Sequence, residues 1–230
     1  MEPLMVALAV SGLFLGGAML WKHVFCERAR NQRKLRKAPR LPIAEVKEGQ
    51  LAKVVGTLRL AEEPPLEAPL SGRPCAYFEV KVEERRSSGK SSHWVTVIKE
   101  YESQQRIFVE DDSGKALVSM MAPKMVLTMD AHYESGFLND ASPRLEEFLA
   151  RHGHSSEGWV FNKSIRYKEG VLEPGELVAV LGRGSWEPDP DPPPGGGATG
   201  GYRDMPLRLH VREAVDDDRM LMSDDPSTLD

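Results

Sequence analysis

An uncharged, apolar segment runs from Pro3 to Trp21. Because each helical residue adds about 1.5 Å, roughly 20 residues cross the ~30 Å hydrocarbon core of a bilayer. Trp21 suits the interfacial layer, and the stem of Lys22 can carry its ammonium group to the head groups. We therefore predict a transmembrane helix within residues 1–24.

A basic cluster follows the apolar segment, and Glu27 is the one acidic residue among residues 22–40. A cleaved signal peptide would carry positive charge before its apolar run rather than after it. The positive-inside rule therefore places the N-terminus outside and the following domain in the cytoplasm of a single-pass membrane protein. The cluster lies in a predicted juxtamembrane linker, residues 25–50, and can contact anionic lipid head groups. Its members are Lys22, Arg28, Arg30, Arg33, Lys34, Arg36, Lys37 and Arg40.

Two glycines in the apolar segment, Gly12 and Gly16, form a G-x-x-x-G pattern. Small residues at this spacing allow two membrane helices to approach closely. The pattern predicts either a homodimer packed through the span or a flexible anchor without specific packing. The sequence alone does not decide between these two interpretations.

The remaining chain is acidic, because residues 41–230 hold 22 basic and 33 acidic residues, a net charge of −11. An acidic surface repels phosphate backbones, so we expect no nucleic acid as a partner. The only cysteines are Cys26 and Cys75. Two cysteines this far apart in a chain of this size do not predict a disulfide framework, which suits a reducing compartment.

The fold class is predicted to be mainly β, with one amphipathic helix. Apolar and polar residues alternate over residues 75–84, and the polar segment 85–92 separates them from a returning strand at 93–101. About eight short strands predict a small barrel or sandwich, with an OB-like barrel as one option. The other predicted strands are 51–60, 106–110, 115–120, 158–172, 176–183, 206–214 and 219–223. Gly114 is expected at positive φ in the turn between 106–110 and 115–120.

The one predicted helix of this domain begins near Ser142 and ends near Gly153. Ser142 can cap it, Pro143 suits its first position, and Gly153 suits its end. Its apolar face is predicted to consist of Leu145, Phe148 and Leu149. Residues 187–201 are rich in proline and glycine and are predicted to form a mobile loop.

Four segments resemble the GIDE domain, also called BAM for "beside a membrane". They are PLSGRPCAYFEVKV at 69–82, FVEDDSGKALV at 108–118, YKEGVLEPGELVAVLGR at 167–183 and MLMSDDP at 220–226. The resemblance implies a GIDE/BAM-like β domain over residues 51–226, followed by a short tail at 227–230. The most specific part is the motif Pro69, Leu70, Ser71, Gly72, Pro74 and Cys75.

This family includes membrane E3 ubiquitin ligases that carry a second span and a RING. A RING needs eight Cys or His ligands for two zinc ions, which two cysteines cannot supply. The resemblance therefore implies a membrane-anchored module for protein interaction or sensing, without catalysis. An alternative is a ligase component whose RING comes from a partner protein.

A second alternative is a thiol or metal hydrolase. Cys75 could act as a nucleophile if His93 faced it across the hairpin, whereas the simpler interpretation is a buried strand cysteine. His152 and His154 could ligate a metal, but no third ligand has a recognisable spacing. We therefore predict no catalytic, cofactor or metal site. Trp186 and Tyr202 flank the Pro/Gly loop and are predicted contacts for a protein partner.

Overall fold

The computed structural model describes seven stretches of the chain, namely residues 27–88, 91–129, 131–135, 143–153, 165–190, 206–213 and 219–230. The predicted span at 1–24, with Gly12, Gly16 and Lys22, lies outside these stretches. Within them, no helix is both long and apolar enough to cross a bilayer.

Strands dominate the described residues, and they are numbered here in chain order. The strands are β1 Leu51–Leu60, β2 Leu66–Glu67, β3 Pro74–Cys75, β4 Tyr77–Ser88, β5 Ser91–Ser103, β6 Arg106–Asp111, β7 Gly114–Ser119, β8 Lys124–Val126, β9 Ala131–Ser135, β10 Ile165–Leu172, β11 Leu177–Pro188, β12 Leu207–Arg212 and β13 Leu221–Ser223. The helices are α1, residues 27–37, and α2, Pro143–Arg151, with 3-10 turns at Ile43–Glu45 and Pro226–Thr228.

Five of these strands close into a barrel in the order β1-β6-β7-β12-β11, with β11 returning to β1. The β7–β12 pair is parallel and the other four pairs are antiparallel. Strand β1 serves two neighbours, since Thr57 stands opposite Leu177 of β11 and Glu110 of β6. The prediction of a mainly β domain is confirmed, and the barrel replaces the sandwich option.

The barrel interior is filled by alternate, mostly branched side chains of its strands. Such residues suit a pleated surface that is packed on one face. The fully or almost fully buried members include Val54, Leu58, Ile107, Val109, Ala116, Val118, Val178, Val180, Leu209 and Val211.

A second sheet, in the order β5-β4-β10-β9, carries a separate core. Helix α2 packs on one face of this sheet, with its predicted apolar residues Leu145, Phe148 and Leu149 buried. Gly153 has a φ of +72°, which suits a glycine just beyond a helix. The predicted apolar face and C-terminal end of this helix are confirmed, and Ser142 lies outside the described residues.

The predicted hairpin is also present, formed by β4 and β5. Cys75 does not extend β4, because it lies in β3 opposite Leu66. In the β6–β7 hairpin, Gly114 is not among the positive-φ glycines of the structure, so that prediction was wrong. The Asp111 carboxylate organises this turn instead, accepting hydrogen bonds from the backbone N–H groups of Ser113 and Gly114.

The predicted linker at 25–50 differs most from the structure. From residue 27 it forms helix α1, whose Asn31 and Leu35 are buried against the outer face of the barrel. Arg28 donates to the Leu127 carbonyl, and Gln32 Nε2 donates to Asp225 Oδ2 at 2.7 Å. The folded domain therefore begins before residue 51. The sequence did not reveal the interface between α1 and the barrel, because the segment is rich in basic residues. This interface depends on one buried leucine, Leu35, and a few hydrogen bonds.

Gly56 lies where strand β1 passes from its neighbour β11 to its neighbour β6. A Cβ at this position would lie 2.7 Å from the Glu110 carbonyl carbon and closer still to its oxygen. Gly56→Ala is therefore expected to lower the free energy of unfolding by about 1–3 kcal/mol, because the backbone of Glu110 in the paired strand cannot move away without disturbing the sheet. Gly114→Ala is the matched control, since its Cβ would meet only Ile43 Cγ2 at 3.5 Å. Equal denaturant midpoints for the two variants would contradict this role of Gly56.

Candidate functional site

The motif at residues 69–75 forms a tight loop after β2 and ends in β3. The Gly72 N–H donates to the Ala68 carbonyl at 2.8 Å, and the Ala68 N–H donates to the Arg73 carbonyl at 2.9 Å. Gly72 has a φ of +71°, a conformation that L side chains rarely adopt. Leu70 and Cys75 turn inward and join the core of the second sheet.

A buried carboxylate holds this loop on the sheet. Glu169 of β10 is fully buried, and its two oxygens accept hydrogen bonds from the N–H groups of Leu70 at 2.8 Å and Ser71 at 3.1 Å. Such charge-assisted bonds to backbone fix geometry strongly. A second clamp joins Arg73 Nη1 to Glu173 Oε1 at 2.5 Å. Sequence analysis singled out the motif but gave no role to Glu169.

A cleft of about 270 Å³ opens where the motif loop meets α2 and β5. Ala68 and Pro69 of the loop and Phe78 of β4 provide its apolar lining, and the rest is charged. Its charged lining consists of Glu67, Glu100, Glu102, Glu147, Arg144 and Arg151.

Acidic groups outnumber basic groups in this cleft by four to two. Arg144 Nη1 lies 2.5 Å from Glu67 Oε1, and its guanidinium covers Gly72 so closely that a Cβ there would lie 2.7 Å from it. Glu100 Oε2 lies 3.0 Å from His152 Nε2. The cleft can therefore attract a cationic group, whereas its shape and lining provide no nucleophile with a paired base.

Cys75 is a poor nucleophile in this structure. Its side chain is fully buried, and burial, together with the carboxylates of Glu169 and Glu173, raises the pKa of the thiol to about 12. His93 stands opposite Arg86 in the hairpin, while Cys75 pairs with Leu66 in another sheet. The hypothesis of a Cys75–His93 pair was wrong, because His93 lies near the turn of the hairpin, whereas Cys75 precedes its opposite end, at Tyr77.

The thiol is therefore expected to resist modification in the folded protein. In a Cys26→Ser background at pH 8, a disulfide reagent should modify Cys75 on the order of a thousandfold more slowly than in urea, because few native molecules carry a thiolate. The absorbance of the aromatic thiolate that the reagent releases gives the rates in the native and the urea-unfolded protein. A native rate above the rate in urea would restore the activated-thiol hypothesis.

His152 takes part in the local structure around α2. Its Nδ1 lies 2.9 Å from the Phe148 carbonyl oxygen, and its ring packs against the Phe148 ring at 4.7 Å between centroids. His154 lies outside the described residues. Within the described ranges, no three His, Cys, Asp or Glu side chains are placed to hold a metal ion.

Trp186 is a structural residue of the barrel. It is half-buried against the barrel core, and its Nε1 donates to the Val46 carbonyl at 2.8 Å. Its backbone N–H donates to Glu48 Oε2 at 2.7 Å. The expected exposure of Trp186 was wrong, because the indole packs against the segment before β1, and its contact with a protein partner stays a prediction. The other predicted contact, Tyr202, lies outside the described residues, as do residues 191–200 of the predicted loop, whereas residues 187–188 end β11.

Five of the six basic residues in α1 lie on one side of the helix. With 100° between successive residues, Arg30, Arg33, Lys34, Arg36 and Lys37 occupy an arc of about 160°, whereas Arg28 lies on the opposite side. These five side chains are exposed, and the opposite side also carries the buried Asn31 and Leu35. Residues predicted as part of a juxtamembrane linker therefore form a fixed basic surface on the domain.

Sequence analysis missed a Ser–His–Glu arrangement on the barrel. Ser119 Oγ lies 2.8 Å from His210 Nε2, and His210 Nδ1 lies 2.9 Å from Glu187 Oε2, which is the order of groups in hydrolase triads. However, Arg212 Nε also donates to His210 Nδ1 at 2.9 Å, and when it does, Nε2 carries the proton and cannot accept one from Ser119. Arg208 and Arg212 also form ion pairs with Glu187. This network joins β7, β11 and β12 and is better suited to holding strands than to catalysis.

Glu187 should therefore stabilise the barrel in a pH-dependent manner. Burial raises its pKa, but contacts with His210 and Arg208 outweigh this and hold the pKa below its usual value. Its contribution is fully present above the unfolded pKa of about 4.3 and is lost as the pH falls through the lower folded pKa. Glu187→Gln should thus lower the midpoint of urea unfolding at pH 7 and have less effect at pH 3. Labelling of Ser119 by a fluorophosphonate would instead indicate a working triad.

No known protein family matches the chain, and no curated protein or solved structure is detectably similar to it.

Proposed function

We propose that this protein is a membrane-anchored, non-catalytic interaction module of the GIDE/BAM type, with its folded domain on the cytoplasmic side of the membrane. The apolar segment at 1–24 supports the anchor, and the four GIDE/BAM-like segments support the domain type. The observation that carries the proposal is helix α1, which is fixed to the domain on one side and basic on the other.

The connectivity of the barrel supports an OB-like assignment. If its strands are numbered one to five in chain order, they pair in the order one, two, three, five, four and back to one. A five-stranded barrel with this order, including the parallel pair of third and fifth strands, is the OB arrangement. Such barrels bind many unrelated ligands, so the fold alone does not define the function.

The exposed side of α1 suits an anionic lipid surface. Each Lys or Arg close to such a surface contributes about 1 kcal/mol, and five of them here share one rigid face. A rigid face binds more favourably than a flexible segment, because its side chains lose less conformational entropy when they bind. Leu35, Val55 and Leu221 form part of the small core that keeps the helix in place.

The predicted span places α1 near such a surface. The span ends by residue 24 and α1 is present from residue 27, so the intervening residues reach at most about 10 Å. A tether of that length keeps the start of α1 within roughly one Debye length of the head groups, and the whole basic face comes as close when the helix lies along the surface. Contact at this face would fix the orientation of the barrel relative to the bilayer.

The alternative hydrolase activities receive less support. The Cys75 thiol is buried and has a raised pKa. Both ring nitrogens of His152 already have neighbours, since Nδ1 lies near the Phe148 carbonyl oxygen and Nε2 lies near the Glu100 carboxylate. The alternative of a ligase component with a partner's RING shares the same membrane-proximal module. It differs only in the protein that the module recruits.

Hydrogen exchange of the full chain in nanodiscs tests the lipid contact. Backbone amides of residues 27–37 should exchange about fivefold more slowly in discs containing phosphatidylglycerol than in discs of phosphatidylcholine alone, a change of about 1 kcal/mol. The double variant Arg33→Glu and Lys37→Glu should lose this difference, because it reverses two charges of the exposed face.

A matched control reverses two exposed basic residues elsewhere, Lys47→Glu and Arg219→Glu. It changes the net charge equally and should keep the slower exchange in anionic discs. If wild type shows no difference between the two lipids, α1 does not contact the bilayer. If α1 instead becomes protected by added RNA in neutral discs, the basic face serves nucleic acid and the proposal is wrong.

A further inference from the structure

Strand β5 forms one edge of the second sheet. Within the described residues it pairs with β4 alone, and its register is regular from Ile98 opposite Val82 to Ser103 opposite Tyr77. In an antiparallel pair, alternate residues of an edge strand point their N–H and C=O groups away from the neighbour. These groups can accept another extended chain unless charge, proline or a bulge protects the edge.

The bulge that protects this edge is confined to one part of the strand, and the charges of the remaining part, Lys99, Glu100 and Glu102, restrict which chain it can accept. The register between β4 and β5 shifts at Val82 and Glu83, which bends the hairpin beyond Ile98. No proline lies in β5, and no bulge interrupts the six residues from Ile98 to Ser103. Six residues are enough to pair with a short extended segment.

The two faces of this edge differ in chemistry. Glu100 and Glu102 stand opposite Val80 and Phe78, so they point toward the α2 side and line the cleft described above. On the other face, Tyr101 is 64% exposed and stacks on Tyr77 at 6.3 Å between ring centroids. A chain added beside β5 would lie about 4.8 Å away and project alternate residues to these two faces.

Charge selects which chain would fit. The side chains directed to α2 would meet the four carboxylates of the cleft, of which Glu67 already pairs with Arg144. Lys or Arg residues at alternate positions complement the others, while the residues between them would lie beside the exposed ring of Tyr101. Acidic segments would be repelled by Glu102 and Glu147, both exposed.

We propose that residues 98–103 of β5 bind an extended peptide segment by strand addition, with alternate Lys or Arg side chains of that segment directed into the cleft beside α2. This partner class rests on the proposed interaction function and specifies it. Main-chain hydrogen bonds give such a complex its affinity, and the cleft gives it sequence preference.

The probe is the blocked peptide Lys-Val-Lys-Val-Lys-Val, added to the full chain in neutral phosphatidylcholine nanodiscs. Its addition should slow exchange of the backbone amides of residues 98–103, because half of them gain a hydrogen-bond partner. The same peptide with methylated nitrogens at alternate residues should bind on the order of tenfold more weakly, since it lacks the donors. A Glu-Val repeat should not bind.

Two double variants distinguish the effect of the cleft carboxylates from the effect of the net charge of the protein. Glu147 lines the cleft, whereas Glu146 is exposed on the same helix outside it. Combined with Glu102→Lys, Glu147→Lys should weaken binding by on the order of tenfold, and Glu146→Lys with Glu45→Lys should leave it unchanged. Equal weakening by both pairs would overturn the proposed site.

Other occupants of the edge would also be visible. If the amides of residues 98–103 that point away from β4 exchange slowly before peptide is added, another part of the chain covers the edge, and the proposal is wrong. If their protection rises with protein concentration alone, a second copy occupies it, and the proposal is equally wrong. The peptide experiment uses neutral nanodiscs, so its failure would not affect the result for lipid contact by α1. Failure of the lipid experiment would likewise not affect the result for peptide binding by β5.

Discussion

Strand β11 closes the barrel, because it pairs with β1 along one edge and with β12 and β13 along the other. These pairings require close approach at two glycines. A Cβ at Gly182 would lie 2.6 Å from Val211 Cγ1, and one at Gly184 would lie 2.7 Å from Val46 Cγ1. The same strand carries Trp186, which holds the segment before β1, and Glu187, which joins three strands. Closure, the seating of the preceding segment and the charged network therefore depend on one strand with two glycines.

Local patterns were sufficient to predict most strands. The segment 51–60 is β1 with the same bounds, and α2 buries the face that its spacing indicates. Alternation was less informative in β4, where Phe78 and Val80 are buried as expected but Glu79 is also only 8% exposed. Glu79 is neutralised by Lys81 at 2.5 Å and Lys99 at 3.2 Å. A pattern of period two distinguishes the faces of a strand, yet it does not reveal that ion pairs allow the polar face to be covered.

The parts of the site that sequence reasoning missed depend on contacts between distant residues. Glu169 lies about a hundred positions from the motif that it holds, and nothing in its neighbourhood marks it as buried. The Ser119–His210–Glu187 arrangement arises because β7, β11 and β12 are adjacent only after the barrel closes. The motif itself was visible because it resembles a segment of the GIDE domain, and its positive-φ Gly72 is a requirement of the local loop. The acidic cleft was not, because its walls come from a loop, a strand and a helix.

Helix α1 and the C-terminal 3-10 turn lie side by side. Gln32 bonds to both Asp225 and Ser227, while Lys53 of β1 donates to the carbonyl oxygens of Thr228 and Asp230. The first and last described elements of the domain thus meet on the same side of the barrel. A short peptide could join them, and the chain could be reopened at another surface site, since circular permutation requires only neighbouring ends. Any segment appended after residue 230 would likewise start beside α1, so cargo attached there would share that helix's surroundings.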